Sequence, residues 1–273
     1  MGRIEITLKS DLCTASGDGF SSVIDTDVSY DRYGFPVIGG RRLKGCLKQV
    51  AEYIDSPYIK EIFGEKGKSF SGSLKISDAV IKDYEKLKKE AVISGIDCKK
   101  VISFFTYTRS STAIENDTAK DNSLRITRVI KHYSPLYENE ELTFFADVEI
   151  DDKYKQEFKD ICKALRNIGY KRNRGYGAVK CRFTEDKDKK IYTEEVDKSA
   201  EELQITYTVK LKSNIMIPGK SSDETLDYIP GTAVIGFFAG EYLKTNPEDD
   251  MFDEIFQKNN VRFSNLYISD KNG

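Results

Sequence analysis

Two aspartates in a short apolar segment, Asp25 and Asp27, are the side chains best suited to catalysis in this chain. Carboxylates this close together, beside bound phosphate groups, can hold Mg²⁺ or Mn²⁺ and activate a hydroxyl or a water molecule. Asp25 is then the candidate metal ligand. The alternative is a loop in which each aspartate caps neighbouring backbone N–H groups, as aspartates in turns commonly do.

A basic, glycine-rich segment follows within fifteen residues and contains Gly39, Gly40, Arg41, Arg42 and Lys44. Glycine is needed where the backbone takes a positive φ or where another group approaches closely. The unpaired N–H groups and the dipole at a helix start favour a phosphate, and three cations add to that preference. The alternative is a simple turn with solvated basic side chains.

A second basic, glycine-rich loop covers residues 168–177. Its cations are Lys171, Arg172 and Arg174, and Tyr176 lies among three glycines. Glycines let a polynucleotide backbone approach, arginines pair with phosphates, and tyrosine rings stack on bases. The alternative is a loop whose tyrosines pack into the core.

Further cations are spread through a polar segment, residues 106–128, which we interpret as an extended hairpin or a mobile loop. Arg109, Arg125 and Arg128 on such a hairpin can clamp a polynucleotide, whereas a disordered surface loop is the competing interpretation. The chain has one histidine, His132, which argues against a catalytic triad or a two-histidine metal site.

The elements that position these residues follow from hydrophobic periodicity. Alternating apolar residues predict strands, and apolar residues at helical spacing predict helices. The predicted strands cover residues 4–8, 74–81, 142–150 and 179–183, and the predicted helices cover residues 43–54, 82–100 and 158–168. The order is strand, helix, strand and then strand, helix, strand, with the lysine-rich helix 82–100 as a solvated excursion. This order predicts an α+β, ferredoxin-like βαββαβ unit.

An internal repeat predicts a second unit. The turn that opens the first helix returns as Ile229-Pro230-Gly231, and both copies continue to Glu-Ile-Phe and then to Leu-x-Ile-Ser-Asp. We predict a first unit over residues 1–183 with an inserted hairpin at about 101–133. A charged linker over 184–202 and an incomplete second unit over 203–273 follow, beginning with a strand at 203–211. We expect a fragment, or a protein that a partner completes.

Composition narrows the class of protein. A net charge of −2 and a pI of about 5.8 argue against nucleic-acid binding by the whole surface, but they permit a local basic track. Five widely spaced cysteines without a Cys-x-x-Cys pair favour reduced thiols. Without an apolar run of membrane-spanning length or a signal-peptide core, we predict a cytoplasmic protein that does not bind membranes.

Three segments together resemble the RAMP superfamily of CRISPR-associated proteins. They are residues 34–45, residues 74–78 and the loop from Arg172 to Gly177. The likeness covers most of residues 3–183 and restarts at 203. Residues 24–28, 112–114 and 123–125 look most like the double-unit RAMP subunit of type III-D effector complexes.

The resemblance implies a function and partners. It implies ferredoxin-like, RRM-like units that bind CRISPR RNA in a type III effector complex of prokaryotic antiviral defence. The hairpin looks like a thumb inserted between guide and target bases. CRISPR RNA, target RNA, other RAMP subunits and the large subunit are the implied partners, and binding implies no cofactor.

The same resemblance raises an enzymatic alternative. Asp25 falls where backbone subunits carry an aspartate that cleaves target RNA with a divalent metal, which implies a metal-dependent endoribonuclease. The chain departs from the family because Arg41 and Arg42 replace small serines and the second unit lacks the basic residues. End-capping subunits of this layout are often non-catalytic, which favours the binding role.

Overall fold

The computed structural model describes residues 2–15, 24–65, 67, 72–185, 204–211, 215–219, 224–246, 251–258 and 261–269. The chain divides into two compact units, residues 1–213 and residues 214–273. The predicted linker at 184–202 lies almost entirely outside the described residues. No helix in the described part of the chain has both the length and the hydrophobicity to cross a bilayer.

The first unit contains one large antiparallel sheet and a separate hairpin. Its strands are β1 (Gly2–Leu8), β2 (Val37–Ile38), β3 (Lys75–Ile76), β4 (Ala79–Ile81), β5 (Thr106–Ser111), β6 (Ile114–Glu115), β7 (Thr118–Ala119), β8 (Arg125–Ile130), β9 (Thr143–Glu149) and β10 (Val179–Glu185). The large sheet has the order β10-β1-β9-β4-β2, and β3 also pairs with β9.

The described part of the first unit also contains helices. They are α1 (Gly40–Tyr53), α2 (Ile59–Phe63), α3 (Tyr84–Ile93), α4 (Cys98–Phe105) and α5 (Lys155–Ala164). Short 3-10 turns lie at Asp152–Tyr154 and Arg172–Arg174. The predicted solvated helix at 82–100 is therefore two helices, α3 and α4, because Gly95 takes a positive φ of 60° between them.

The topology confirms the ferredoxin-like prediction. With α1 after β1 and α5 before β10, the order β10-β1-β9-β4 is that of a βαββαβ sheet. The inward side chains of β1, Ile4, Ile6 and Leu8, are completely buried. Leu43 and Leu47 of α1 are also fully buried, because they lie four residues apart on one helical face. This core holds α1 and α5 against each other and fixes the loops at their ends.

The predicted hairpin over 106–128 is formed. Strands β5 and β8 pair from Thr106 with Ile130 to Ser111 with Arg125, and β6 and β7 pair nearer the tip. Asn116 and Asp117 at the tip have φ of 50° and 59°, the left-handed values that a tight hairpin turn requires. Because most of its distal side chains are exposed, the hairpin offers its polar surface to solvent.

The second unit contains α6 (Gly231–Thr245) between β11 (Tyr228–Ile229) and β12 (Leu266–Tyr267), which pair antiparallel. A π-helical turn covers Asp253–Gln257. The predicted strand over 203–211 is wrong for its described part, because residues 204–211 pair with no strand. Alternating apolar residues favour a strand only where a neighbouring strand satisfies the backbone.

Candidate nucleic-acid interface

Helix α1 begins at a turn that needs one glycine, not two. A Cβ atom on Gly40 would lie 2.6 Å from the carbonyl oxygen of Ile76, so close approach of β3 excludes a side chain there. Gly39 has a φ of −58° and open space around it, so neither reason for glycine applies at that position. The predicted strand 74–81 is broken into β3 and β4, and this break brings Asp78 to the helix start.

The first N–H group of α1 is already hydrogen-bonded to a carboxylate. The Gly40 N–H donates a hydrogen bond of 2.7 Å to Oδ1 of Asp78. The prediction that this helix start attracts a phosphate therefore depends on the arginine side chains beside it rather than on the Gly40 N–H group. Asp78 is the last residue of the repeated Leu-x-Ile-Ser-Asp segment, but its role in capping α1 was not predicted.

The second copy of the turn has the same geometry. Pro230 has φ and ψ of −60° and 141°, close to the −58° and 132° of Gly39. The Gly231 N–H donates a hydrogen bond of 2.8 Å to Oδ1 of Asn265, as Gly40 does to an aspartate. The repeated glycine is thus a packing requirement. The basic residues after it, which only the first copy has, are not part of that requirement.

The three cations of this segment lie in different environments. Arg42 donates a hydrogen bond of 2.7 Å to the carbonyl oxygen of Ala15 and is exposed. Arg41 is exposed on the neighbouring face of α1. Lys44 is half-buried and donates to the carbonyl oxygen of Leu74 at 2.7 Å. Burial, together with nearby Lys48, lowers the pKa of Lys44. Lys44 therefore serves the packing of α1 rather than the open surface.

The second glycine-rich loop is held by two glycines. Gly169 and Gly177 have φ of 83° and 67°, and a Cβ atom on Gly177 would lie 1.9 Å from the carbonyl oxygen of Ile168. The Tyr170 N–H donates a hydrogen bond of 2.8 Å to the carbonyl oxygen of Cys13. These constraints place the turn Arg172–Arg174 on the surface, with its cations exposed.

The two basic segments meet on one side of the first unit. Arg172 Nη1 donates a hydrogen bond of 3.0 Å to Oε1 of Gln49, which lies two helical turns beyond Arg42 on the same face of α1. Burial raises the pKa of the Cys13 thiol, and the positive charges of Lys171 and Arg42 oppose that shift. The thiol is thus close to a cation of each segment. We call Arg42, Lys171, Arg172 and Arg174 the cationic surface.

The base of the hairpin adjoins this surface. Lys171 Nζ donates a hydrogen bond of 3.3 Å to Oγ1 of Thr127 on β8. The guanidinium of Arg109 on β5 lies 5.1 Å from the ring centre of Tyr176, a cation–π contact. These contacts join the hairpin and the glycine-rich loop into one continuous polar face. Arg125, which donates to the carbonyl oxygen of Leu124, lies further along the exposed hairpin.

Asp11 holds the hairpin base from the end of β1. Its carboxylate accepts hydrogen bonds from the Tyr107 hydroxyl and from the His132 backbone N–H at 3.1 Å, and it lies 2.8 Å from Nδ1 of His132. Burial acts to raise the pKa of Asp11, but the hydrogen bonds from Tyr107 and His132 outweigh it and lower the pKa. Burial and the bond to Asp11 raise the pKa of Tyr107 to about 12. The only histidine therefore has a positioning partner.

Asp25 and Asp27, the predicted catalytic pair, have different partners. Asp27 is mostly buried, forms an ion pair of 2.7 Å with Arg128 and accepts a hydrogen bond from the Val28 N–H. Asp25 is exposed, and its Oδ2 accepts a hydrogen bond of 2.7 Å from the Ile126 N–H. The loop interpretation, with aspartates bonded to backbone N–H groups, describes both.

The fit to a divalent metal is limited. Among the described residues, no group of three His, Cys, Asp or Glu side chains is close enough to hold a metal ion. Asp25 offers one carboxylate, whereas Arg128 neutralises Asp27. A magnesium ion here would need phosphate oxygens and water for most of its coordination sphere, as magnesium sites on nucleic acids commonly do.

The sequence profile of one family matches most of this unit. The profile of the RAMP superfamily matches residues 5–180, which run from within β1 to the start of β10. The chain belongs to the RAMP superfamily. The profile includes both basic segments and the hairpin, so the candidate interface lies within the RAMP unit. No curated protein sequence matches the chain significantly.

Solved structures share the fold. One chain in a cryo-EM structure of the Type III-B Cmr-beta bound to cognate target RNA is 16% identical, with a TM-score of 0.51, over 67% of this chain and 96% of that one. Oligomeric Cmr4 from Pyrococcus furiosus is 15% identical, with a TM-score of 0.36, over 67% of this chain and 98% of that one. At 16% identity, the first likeness shows a shared fold and no more.

Proposed function

We propose that this protein binds CRISPR RNA as a subunit of a type III effector complex, in contact with neighbouring RAMP subunits and the large subunit. The observation that carries the proposal is the convergence of two basic segments, about 130 residues apart, on one face of the RAMP unit. Cations gathered along one groove are typical of a site that follows a phosphate backbone.

The hairpin next to the cationic surface supports contact with a guide–target duplex. Tyr176 and Arg109 stack on each other at the hairpin base, and the strands beyond them are exposed. A projecting polar hairpin beside a phosphate-binding groove can separate or buttress bases of the bound strand. We assign the chain to the double-unit subunits of type III-D complexes on the sequence resemblance, and its compartment to the prokaryotic cytoplasm.

Ultraviolet crosslinking of the full chain to a guide RNA, with the crosslinked residues mapped by mass spectrometry, tests the proposal. We expect adducts on Tyr170 or Tyr176 and on the peptide that contains Arg42. Absence of crosslinks, or crosslinks confined to residues 214–273, would contradict it.

Target-RNA cleavage with Mg²⁺ or Mn²⁺ is the alternative function, and it depends on Asp25. In the assembled complex, Asp25→Ala should abolish cleavage and leave guide binding intact if this alternative is correct. Cleavage that survives this substitution removes Asp25 from the mechanism and leaves the protein as a binding subunit. Thermal unfolding of the variant controls for a structural effect of removing the Ile126 hydrogen bond.

A further inference from the structure

An open groove of about 1000 Å³ lies between α1 and the glycine-rich loop. Besides the cations of the loop, it has a lining that phosphate binding does not require. That lining consists of three amide side chains and two tyrosine rings: Gln49, Asn167, Asn173, Tyr53 and Tyr170.

The amides bring hydrogen-bond acceptors to a basic surface. A phosphate group offers only acceptors, so cations and N–H donors suffice to bind it. An asparagine or glutamine amide presents a donor and an acceptor side by side, which is the pattern of a base edge. The Arg172 guanidinium donates to Oε1 of Gln49 at 3.0 Å and so orients this amide at the groove wall.

The tyrosines bring flat apolar faces to the same groove. Tyr53 follows Gln49 by one helical turn on α1, so both side chains lie on one face of the helix. Tyr53 is 88% exposed, and Tyr170 is 46% exposed with the Lys171 ammonium 5.5 Å from its ring centre. An aromatic ring left in water beside a cationic groove is a surface on which a base can stack.

We propose that this groove holds one unstacked nucleobase of the bound RNA, read by Gln49 and its neighbouring amides and stacked on Tyr53. The chemistry favours adenine, because a glutamine or asparagine amide matches the donor and acceptor on an adenine edge. The flanking cations hold the adjoining phosphates. This inference rests on the proposed RNA-binding function and adds base selectivity to it.

Homopolymer RNAs of adenosine, uridine and cytidine, equal in length, provide the binding test with the full chain. We expect the adenosine RNA to bind about tenfold more tightly than the other two. Gln49→Ala combined with Asn173→Ala should abolish this preference by lowering the affinity for adenosine RNA about tenfold, to that for uridine RNA. Both side chains are exposed, so the variant should fold normally.

Stacking on Tyr53 has its own readout. An RNA that carries 2-aminopurine in place of adenine loses fluorescence when its base stacks on a ring. We expect bound 2-aminopurine to be quenched by the wild-type protein and by Tyr53→Phe, which keeps the ring, but not by Tyr53→Ala. Quenching that persists in Tyr53→Ala would overturn the stacking assignment.

The outcomes separate this inference from the proposed function. Equal, salt-sensitive binding of all three homopolymers would overturn base reading and leave RNA binding in place. A preference for uridine or cytidine would overturn the adenine assignment. Failure to bind any of the RNAs would overturn both proposals.

Discussion

The guanidinium of Arg128 lies 2.7 Å from the carboxylate of Asp27, and both side chains are largely buried, with 23% and 11% of their surfaces exposed. Residue 128 was predicted to contact RNA and residue 27 to assist catalysis. The ion pair instead joins the loop before α1 to strand β8, one strand of the hairpin. Both side chains are therefore already engaged, and their first role is to fix the hairpin relative to the sheet.

Removal of one partner of this pair should destabilise the first unit. Asp27→Ala leaves the Arg128 charge partly buried without its counter-charge, and we expect a decrease of about 1–3 kcal/mol in the free energy of unfolding. Arg128→Ala should lower the free energy of unfolding by a similar amount. The decrease in the double variant should be clearly smaller than the sum of the two single decreases. Urea denaturation monitored by circular dichroism measures all three.

Arg125→Ala is the matched control, because Arg125 is on the same strand but exposed, with its guanidinium bonded to a neighbouring carbonyl oxygen. It should change stability by less than about 0.5 kcal/mol. Additive effects in the Asp27 and Arg128 double variant would show that the ion pair does not couple the two residues.

Three glycines should respond to alanine in a graded series. Gly39→Ala meets no atom and no strain, so we expect the free energy of unfolding to fall by at most about 1 kcal/mol, through the poorer N-cap. Gly175 has space for a Cβ atom but a φ of 79°, so Gly175→Ala should lower the free energy of unfolding by about 1–2 kcal/mol. Gly177→Ala adds a clash with the Ile168 carbonyl oxygen and should cost more than either. Urea midpoints give the order, and a larger effect at Gly39 than at Gly177 would refute this account of the loops.

Asp11 should make the first unit sensitive to acid. A carboxyl group whose pKa is lower in the folded state stabilises the fold above its unfolded pKa of about 3.9. That contribution disappears as the pH falls through the lower, folded pKa. We expect Asp11→Asn to lower the free energy of unfolding by about 2 kcal/mol near neutral pH. In strong acid, the free energies of unfolding of the variant and wild type should become equal.

The free energies of unfolding of wild type and Asp11→Asn, measured between neutral pH and strong acid, test this prediction. Asp117→Asn, at the exposed hairpin tip, is the control and should leave the stability curve unchanged, because asparagine tolerates the same left-handed backbone. A pH-independent difference between wild type and Asp11→Asn would show that hydrogen bonds to the Asp11 carboxylate do not stabilise the fold.

The strands of the sheet and the helices packed on it could be predicted from the sequence, because the periodicity of apolar residues is a local signal. The alternation at Ile4, Ile6 and Leu8 and the helical spacing of Leu43 and Leu47 each bury one face. The strand expected at 203–211 carries the same alternation, yet its described residues 204–211 are not part of a strand. Periodicity reports which side chains prefer burial but not whether a neighbouring strand exists to pair with.

The candidate site was predictable in part. Arg42, Arg172 and Arg174 are exposed on one side, as a shared groove requires. Lys44 and Asp27 were assigned from residue type, whereas tertiary contacts engage Lys44 with a backbone carbonyl and Asp27 with an arginine. Gln49 and Tyr53 were missed because neither belongs to a motif. Their spacing on the helical face of Arg42 was the available signal.

The salt dependence of RNA affinity is the most direct test of a single phosphate-binding face formed by two distant basic segments. For wild type, the logarithm of the binding constant should fall steeply with the logarithm of salt concentration. Arg42→Ala with Arg174→Ala should weaken binding to every RNA sequence and make the slope shallower by about 0.7 for each phosphate that the variant no longer neutralises. Arg182→Ala, an exposed cation on β10, should leave the slope unchanged. An unchanged slope in the double variant, or an equal change in the control, would contradict the account.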